Sequence, residues 1–222
     1  MTALGDPRWL ALSPARREAL LEEHRDVNVE NIDWWDGVYE YFIEECKEQG
    51  IDIEERARSR QPAIYFSGFW SQGDGACFEG RVGDWPKFLV AFGRPDLAVM
   101  YQKFDERLTL SWQHGGHYYH ANCTSFSSDL YVPNPYDEEP DPLQYAAWDV
   151  AYEGGNLFEN LEEDFIEFVR GRMSDLYRAL ENEYDYLTRD ETVVDYLLEH
   201  CEELLVEDPE PETEAELSKI MI

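Results

Sequence analysis

The 222-residue chain has little positive charge, no long apolar run and no paired-cysteine motif. Lysine and arginine number 18 against 49 aspartates and glutamates, a net charge of −31. Phosphate binding needs a basic face, so this deficit argues against nucleic acid or an anionic membrane as the direct ligand. No stretch approaches the ~18 apolar residues of a membrane span, and the opening MTALGDPRWLALSPARR has no apolar signal core. Cys46, Cys77, Cys123 and Cys201 stand far apart without a CxxC, which points to free thiols and a cytoplasmic protein. There is no HExxH, no phosphate loop and no Ser/His/Asp order. GDGACFEG (73–80) is not a dinucleotide fingerprint, because a strand rather than a helix follows it.

Apolar residues make up 43% and aromatics 14%, enough for a core without disulfide staples. The chain reads as a single α+β domain over 1–206 with an acidic flexible tail over 207–222. Residues 61–136 are nearly neutral, with 7 acids and 5 bases, whereas residues 151–222 hold 22 acids and 5 bases.

Ser13-Pro14 predicts a helix start, running to His24. Asp33 is the expected cap of a second helix, ended by Gly50. Residues 63–71 and 76–82 read as two strands turning at Gly73-Asp74. Residues 108–114 and 117–126 read as two more, turning at Gly115-Gly116. Residues 84–104 are helical in pieces, broken at 93–95. A proline-rich acidic loop spans 132–142. A long helix follows at about 160–187 and a shorter one at 190–200. The expected fold is α+β: an antiparallel sheet of two β-hairpins with helices packed on one side and a long C-terminal helix.

Strand register follows from the turns. A turn at Gly73-Asp74 puts Tyr65, Ser67, Phe69, Ala76, Phe78, Gly80 and Val82 on one face. Phe66, Gly68, Trp70, Cys77, Glu79 and Arg81 fall on the other, with Gly68 opposite Glu79. A turn at Gly115-Gly116 aligns Leu108, Leu110, Trp112, His114, His117, Tyr119, Ala121 and Cys123. It sends His120 to the opposite face. His114, His117 and His120 resemble a three-histidine zinc set, but one hairpin in this register cannot supply all three. A metal would need His120 with Asp74, Cys77 or Glu79. Polar strand residues with a rim pair are the favoured reading, so no metal, cofactor or catalytic residue is assigned.

Trp70, Gln72, Asp74, Glu79, His117, Tyr119 and His120 form the densest group of chemically capable residues and are the first candidate binding site. Glu162, Glu163, Asp164 and Glu167, at the start of the long acidic helix, are the second, together with the 137–141 loop.

Three segments, AIYFSGFWSQGDGACFEG (63–80), HGGHYYHANC (114–123) and LENEYDYLTRDETV (180–193), resemble a family of small phage and prophage proteins. An N-terminal segment within 12–40 (LEEHRDVNVENIDWWDGVYE) fits the same order. The family carries the label "antitoxin of toxin–antitoxin stability system". The resemblance implies a phage or mobile-element context but carries over no active-site residue. The chain departs from the pattern at His200-Cys201, where an asparagine is expected, and in its more acidic C-terminal extension.

The expected function is therefore an acidic interaction protein, antitoxin-like or a partial nucleic-acid mimic. It would bind and inhibit a basic partner, such as a nuclease, toxin or defence effector, in the host cytoplasm. A structural or regulatory phage protein whose sheet binds a peptide or a second copy of itself as a homodimer, with Trp70 and Tyr118 as anchors, is a further expectation. The alternative is a small-substrate or metal-assisted hydrolase with its pocket on the hairpin sheet. Close nucleic-acid mimicry is limited by density. Residues 161–188 carry 8 acids and 3 arginines, whereas duplex DNA of that ~42 Å length carries roughly 25 charges.

Overall fold

The computed structural model describes residues 2–30, 32–101, 108–131 and 157–206. The predicted loop at 132–142 and the tail at 207–222 lie outside them. Where the sequence reads as one domain, the chain divides into two compact units, one of Met1–Trp34 with Asn182–Ile222 and one of Trp35–Glu181.

The smaller unit contains α1 (Pro7–Leu10), α2 (Pro14–Glu23) and α8 (Asp190–His200). Ser13 caps α2 as expected, its hydroxyl accepting the Arg16 amide at 3.3 Å, and Pro14 takes the first turn, where no amide is required. The core of this unit is Trp9, Leu12, Leu20, Val193, Val194, Leu197 and Leu198. An open cleft of about 740 Å³ is lined by Trp9, Arg17, Glu18, Glu22, Arg25 and Asp190, among others, so its charges are mixed.

The larger unit is α+β. Its helices are α3 (Asp36–Glu48), α4 (Trp85–Ala91), α5 (Pro95–Tyr101), α6 (Leu157–Asn160) and most of α7 (Glu162–Thr188), the long C-terminal helix. The start of α3 is two residues later than expected, and Trp35 rather than Asp33 occupies the cap. Gly50 ends the α3 segment at φ +78°, where a Cβ would lie 2.2 Å from the Asp84 carbonyl oxygen. The break between α4 and α5 falls at Phe92–Arg94, as the Gly93-Arg94-Pro95 sequence predicts.

The strands are β1 (Ile51–Ile53), β2 (Ile64–Ser67), β3 (Gly75–Phe78), β4 (Gly80–Val82), β5 (Thr109–His114) and β6 (Thr124–Asp129). All pairings are antiparallel. The two hairpins do not share a sheet: β2–β3 stands as a two-stranded ribbon, while the other sheet runs β1-β4-β5-β6. The expected second strand of the first hairpin is thus divided between the two sheets.

Both expected registers are corrected. Ile64 pairs with Phe78 and Ser67 with Gly75, so the connection is the seven-residue segment 68–74 rather than a two-residue turn. The slip is odd, so Ile64 and Phe66, not Tyr65 and Ser67, share a face with Ala76 and Phe78. In the second hairpin Thr109 pairs with Asp129 and His114 with Thr124. His117, Tyr119 and His120 therefore lie on a connection, 115–123, and not on a strand.

The four-stranded sheet alternates as a one-sided sheet should. Ile51, Gly80, Val82, Leu110, Trp112 and Thr124 are buried on one face, and Thr109, Gln113, Ser125 and Ser127 are exposed on the other. Helix α7 meets the inner face: the Thr124 hydroxyl lies 3.6 Å from the Met173 sulfur, and Arg170 sits 5.4 Å over the Phe126 ring. Its Phe165 is fully buried among Trp85, Phe88 and Phe92, with ring centroids 5.8, 5.5 and 4.8 Å away. No helix among the described residues is long and apolar enough to cross a membrane.

Candidate functional site: two apposed loops

The connections 68–74 and 115–123 lie against each other. A Cβ on Gly73 (φ +100°) would come 3.1 Å from the Tyr118 ring, and one on Gly75 would come 3.0 Å from the His120 Cα. The loops thus bring together residues from both sequence-predicted hairpins, though by packing of loops rather than by strand register.

Within the first loop, Asp74 is an organiser. Its Oδ2 accepts the Trp70 amide at 3.1 Å and the Ser71 amide at 2.7 Å. The Tyr177 hydroxyl of α7 donates to the Gly68 carbonyl at 3.2 Å. A Cβ on Gly68 would fall 2.7 Å from the Asp74 carboxylate, so only glycine lets the loop close on that acceptor. The Trp70 indole is 74% exposed and meets the Phe69 ring edge-on, 5.9 Å between centroids. Phe69 in turn lies 5.6 Å from Tyr177 and 6.1 Å from Phe66. Gln72 is exposed.

The second loop is closed by Gly115 donating its amide to the Cys123 carbonyl at 3.0 Å, and by a 3₁₀ turn at Ala121–Cys123. The His120 Nδ1 accepts the Asn122 amide at 3.1 Å. His117 is exposed, its ring edge-on to Tyr118 at 5.3 Å. His114 reaches the Tyr118 carbonyl through Nε2 at 3.2 Å. Beneath the loops Tyr119 stacks on Tyr65 at 5.5 Å, with the Arg56 guanidinium 4.5 Å from the Tyr65 ring centre.

Glu79, between β3 and β4, accepts the His114 amide through Oε1 at 3.2 Å. Burial first, and the negative charge of Glu79 second, push the Cys77 thiol up to about 12. Burial also pushes Cys46 up to about 12. All four cysteines are free thiols. No three His, Cys, Asp or Glu side chains among the described residues are grouped to hold a metal ion. The expected cluster is thus brought together in part, but Asp74, Glu79 and His120 each hold backbone amides.

The second candidate group is divided by the structure. Glu162 is half-buried and accepts the Ser128 hydroxyl, while Glu163 and Asp164 are exposed on the first turn of α7. Glu167 pairs with Arg170 at 3.1 Å. Further along, Asp175 pairs with Arg172 and, at 3.5 Å, with Arg178. The helix is therefore partly neutralised along its length. Tyr65, Arg56 and Tyr177 were missed in the sequence, because only the distant register of β2 and the packing of α7 place them at the loops.

No curated protein and no solved structure matches the chain. One family model does, over residues 34–190, a span that takes in the larger unit and continues past the end of α7 to the first residue of α8. Both loops fall inside that span, and the chain belongs to the family described as Domain of unknown function (DUF8835).

Proposed function

We propose that the chain is an acidic interaction protein that binds and blocks a basic protein partner, in the manner of the antitoxin-like phage proteins its loop segments resemble. The observation that carries this reading is the size of the uncompensated charge. The net charge is −31, and many of the few cations are held in local pairs: Arg8 with Asp6 and Glu202, Arg25 with Asp190, Lys87 with Asp84, and Arg94 with Asp96. Such a surface steers cationic partners over distances of about a Debye length, ~8 Å at physiological salt. Close phosphate mimicry along α7 is not part of the proposal, because its arginines interrupt the acidic face. A hydrolase reading has less to support it: Asp74, Glu79 and His120, at the hairpins where its pocket is expected, each accept backbone amides.

The test is capture of host proteins on the immobilised chain at 50 and 500 mM salt, with the isoelectric points of captured proteins read by mass spectrometry. Enrichment of basic proteins that high salt releases, and loss of their activity on adding the free chain, is the expected result. Capture of neutral or acidic proteins only, unaffected by salt, overturns it.

A further inference from the structure

We propose that the loop 68–74 and the adjoining face of α7 form a docking patch for lysine or arginine side chains of the basic partner, with the Trp70 indole as the platform. This deepens the interaction-protein reading and rests on it. Three independent observations carry it.

The first is exposure. Trp70 is 74% exposed, the most exposed of the large hydrophobic side chains among the described residues. Tyr118 of the apposed loop is also exposed, at 55%, and tryptophan and tyrosine are enriched among the residues that carry interface energy.

The second is preorganisation. The loop that bears Trp70 is fixed by Asp74 from within, by the Tyr177 hydroxyl from α7 and by the Tyr118 ring against Gly73. Phe69 backs the indole, and Phe66 and Tyr177 back Phe69. A platform already held in place loses little freedom when a partner docks.

The third is the sign of the neighbouring charge. Asp74 and Glu181 both act on the Tyr177 ring: after burial, their charges raise its hydroxyl pKa. Glu181 follows Tyr177 by four residues on the same helix face. Arg178, next to Tyr177 in sequence, is 3.5 Å from Asp175. Asp74 thus stands at the Trp70 backbone and Glu181 beside the Tyr177 that anchors the loop, a negative setting that favours a cation over an anion, and tryptophan is the strongest aromatic partner for a guanidinium or ammonium.

The experiment titrates the full chain with a ten-residue arginine peptide and a ten-residue lysine peptide at 50 mM salt. The variants are Trp70→Gln, Trp70→Phe and Glu181→Gln. Tyr41→Ala serves as control, because Tyr41 is 65% exposed beside Glu45 and Glu48 but lies on α3. Expected are a shift of the Trp70 indole N–H resonance on binding and a roughly two- to thirtyfold weaker affinity for Trp70→Gln. Trp70→Phe should keep most of the affinity, Glu181→Gln should lose part of it, and Tyr41→Ala should stay within about twofold of the parent. Salt-sensitive binding that is the same in Trp70→Gln, Glu181→Gln and the parent overturns the patch while leaving the acidic-binder reading intact. Absence of binding by the parent chain at 50 mM salt overturns both. If Trp70→Gln fails to fold by circular dichroism, an indole resonance unmoved by either peptide is the refuting result.

Discussion

Replacing Asp74 by alanine tests whether one carboxylate holds the Trp70 loop in shape. Its Oδ2 takes two backbone amides, at 3.1 and 2.7 Å. Alanine removes that acceptor and returns the amides of Trp70 and Ser71 to water. A hydrogen bond to a charged acceptor is worth about 1.5–3 kcal/mol at its strongest. Half-exposed Asp74 warrants the lower end after screening, about 1 kcal/mol each and about 2 kcal/mol for the pair. In a unit of this size that lowers the melting temperature by about 4–8 °C. Asp74→Asn keeps one oxygen acceptor and should lose about half as much. The direct assay is amide hydrogen exchange at Trp70 and Ser71. Loss of about 2 kcal/mol of local stability speeds exchange roughly thirtyfold in the alanine variant. The surrounding β2 and β3 amides should stay protected. Unchanged protection at both amides, together with an unchanged melting temperature, would refute the idea that Asp74 builds the loop.

Phe165→Ala should destabilise the larger unit by about 3–5 kcal/mol, because the ring is fully buried among three aromatic rings; urea denaturation measures it. Gly50→Ala should be strongly destabilising, since the backbone is at φ +78° and the new methyl meets the Asp84 carbonyl at 2.2 Å. Gly171→Ala, in the middle of α7 with nothing within 4 Å of the new carbon, should stabilise by about 0.5–1 kcal/mol; the paired melting curves should move in opposite directions. Buried Cys46 and Cys77, both held near 12, should resist a maleimide at pH 8 while half-buried Cys123 and Cys201 react, which intact mass will count. Because the folded thiols keep their protons longer than unfolded ones, their contribution to stability is complete below about pH 9. It falls as pH rises from 9 towards 12, so chemical denaturation should show a declining midpoint over that window.

Much of the helical framework was legible because its signals are local. Ser13-Pro14 and the Gly93-Arg94-Pro95 break are each set by residues within a turn of the boundary they define. The free thiols and the one-sided burial of β5 were legible for the same reason. The strand registers were not. Gly73-Asp74 has the composition of a two-residue turn, but Asp74 bonds back to Trp70 and Ser71 and so closes a wider loop. The contact that completes that loop, Tyr177 to Gly68, spans more than a hundred residues. Likewise His117–His120 is aromatic enough for a strand, yet the bond from Asn122 to the His120 ring turns the chain into a 3₁₀ segment before β6 begins.

The same errors of register explain why the candidate site changes character between sequence and structure. On a two-residue hairpin, Glu79 would project from the sheet opposite Gly68, with no side chain on the neighbouring strand to screen it. With seven residues between β2 and β3, Glu79 instead sits where the chain passes from one sheet to the other and receives the amide of His114. His120 receives the amide of Asn122, and Asp74 those of Trp70 and Ser71. Three groups that could have moved protons hold loops in place. The side chains those loops expose include Trp70, Ser71, Gln72, His117, Tyr118, His120 and Asn122. A rigid scaffold that displays aromatic and amide groups beside carboxylates is arranged for recognition, because recognition needs surfaces fixed in advance, whereas proton transfer needs groups left able to change state.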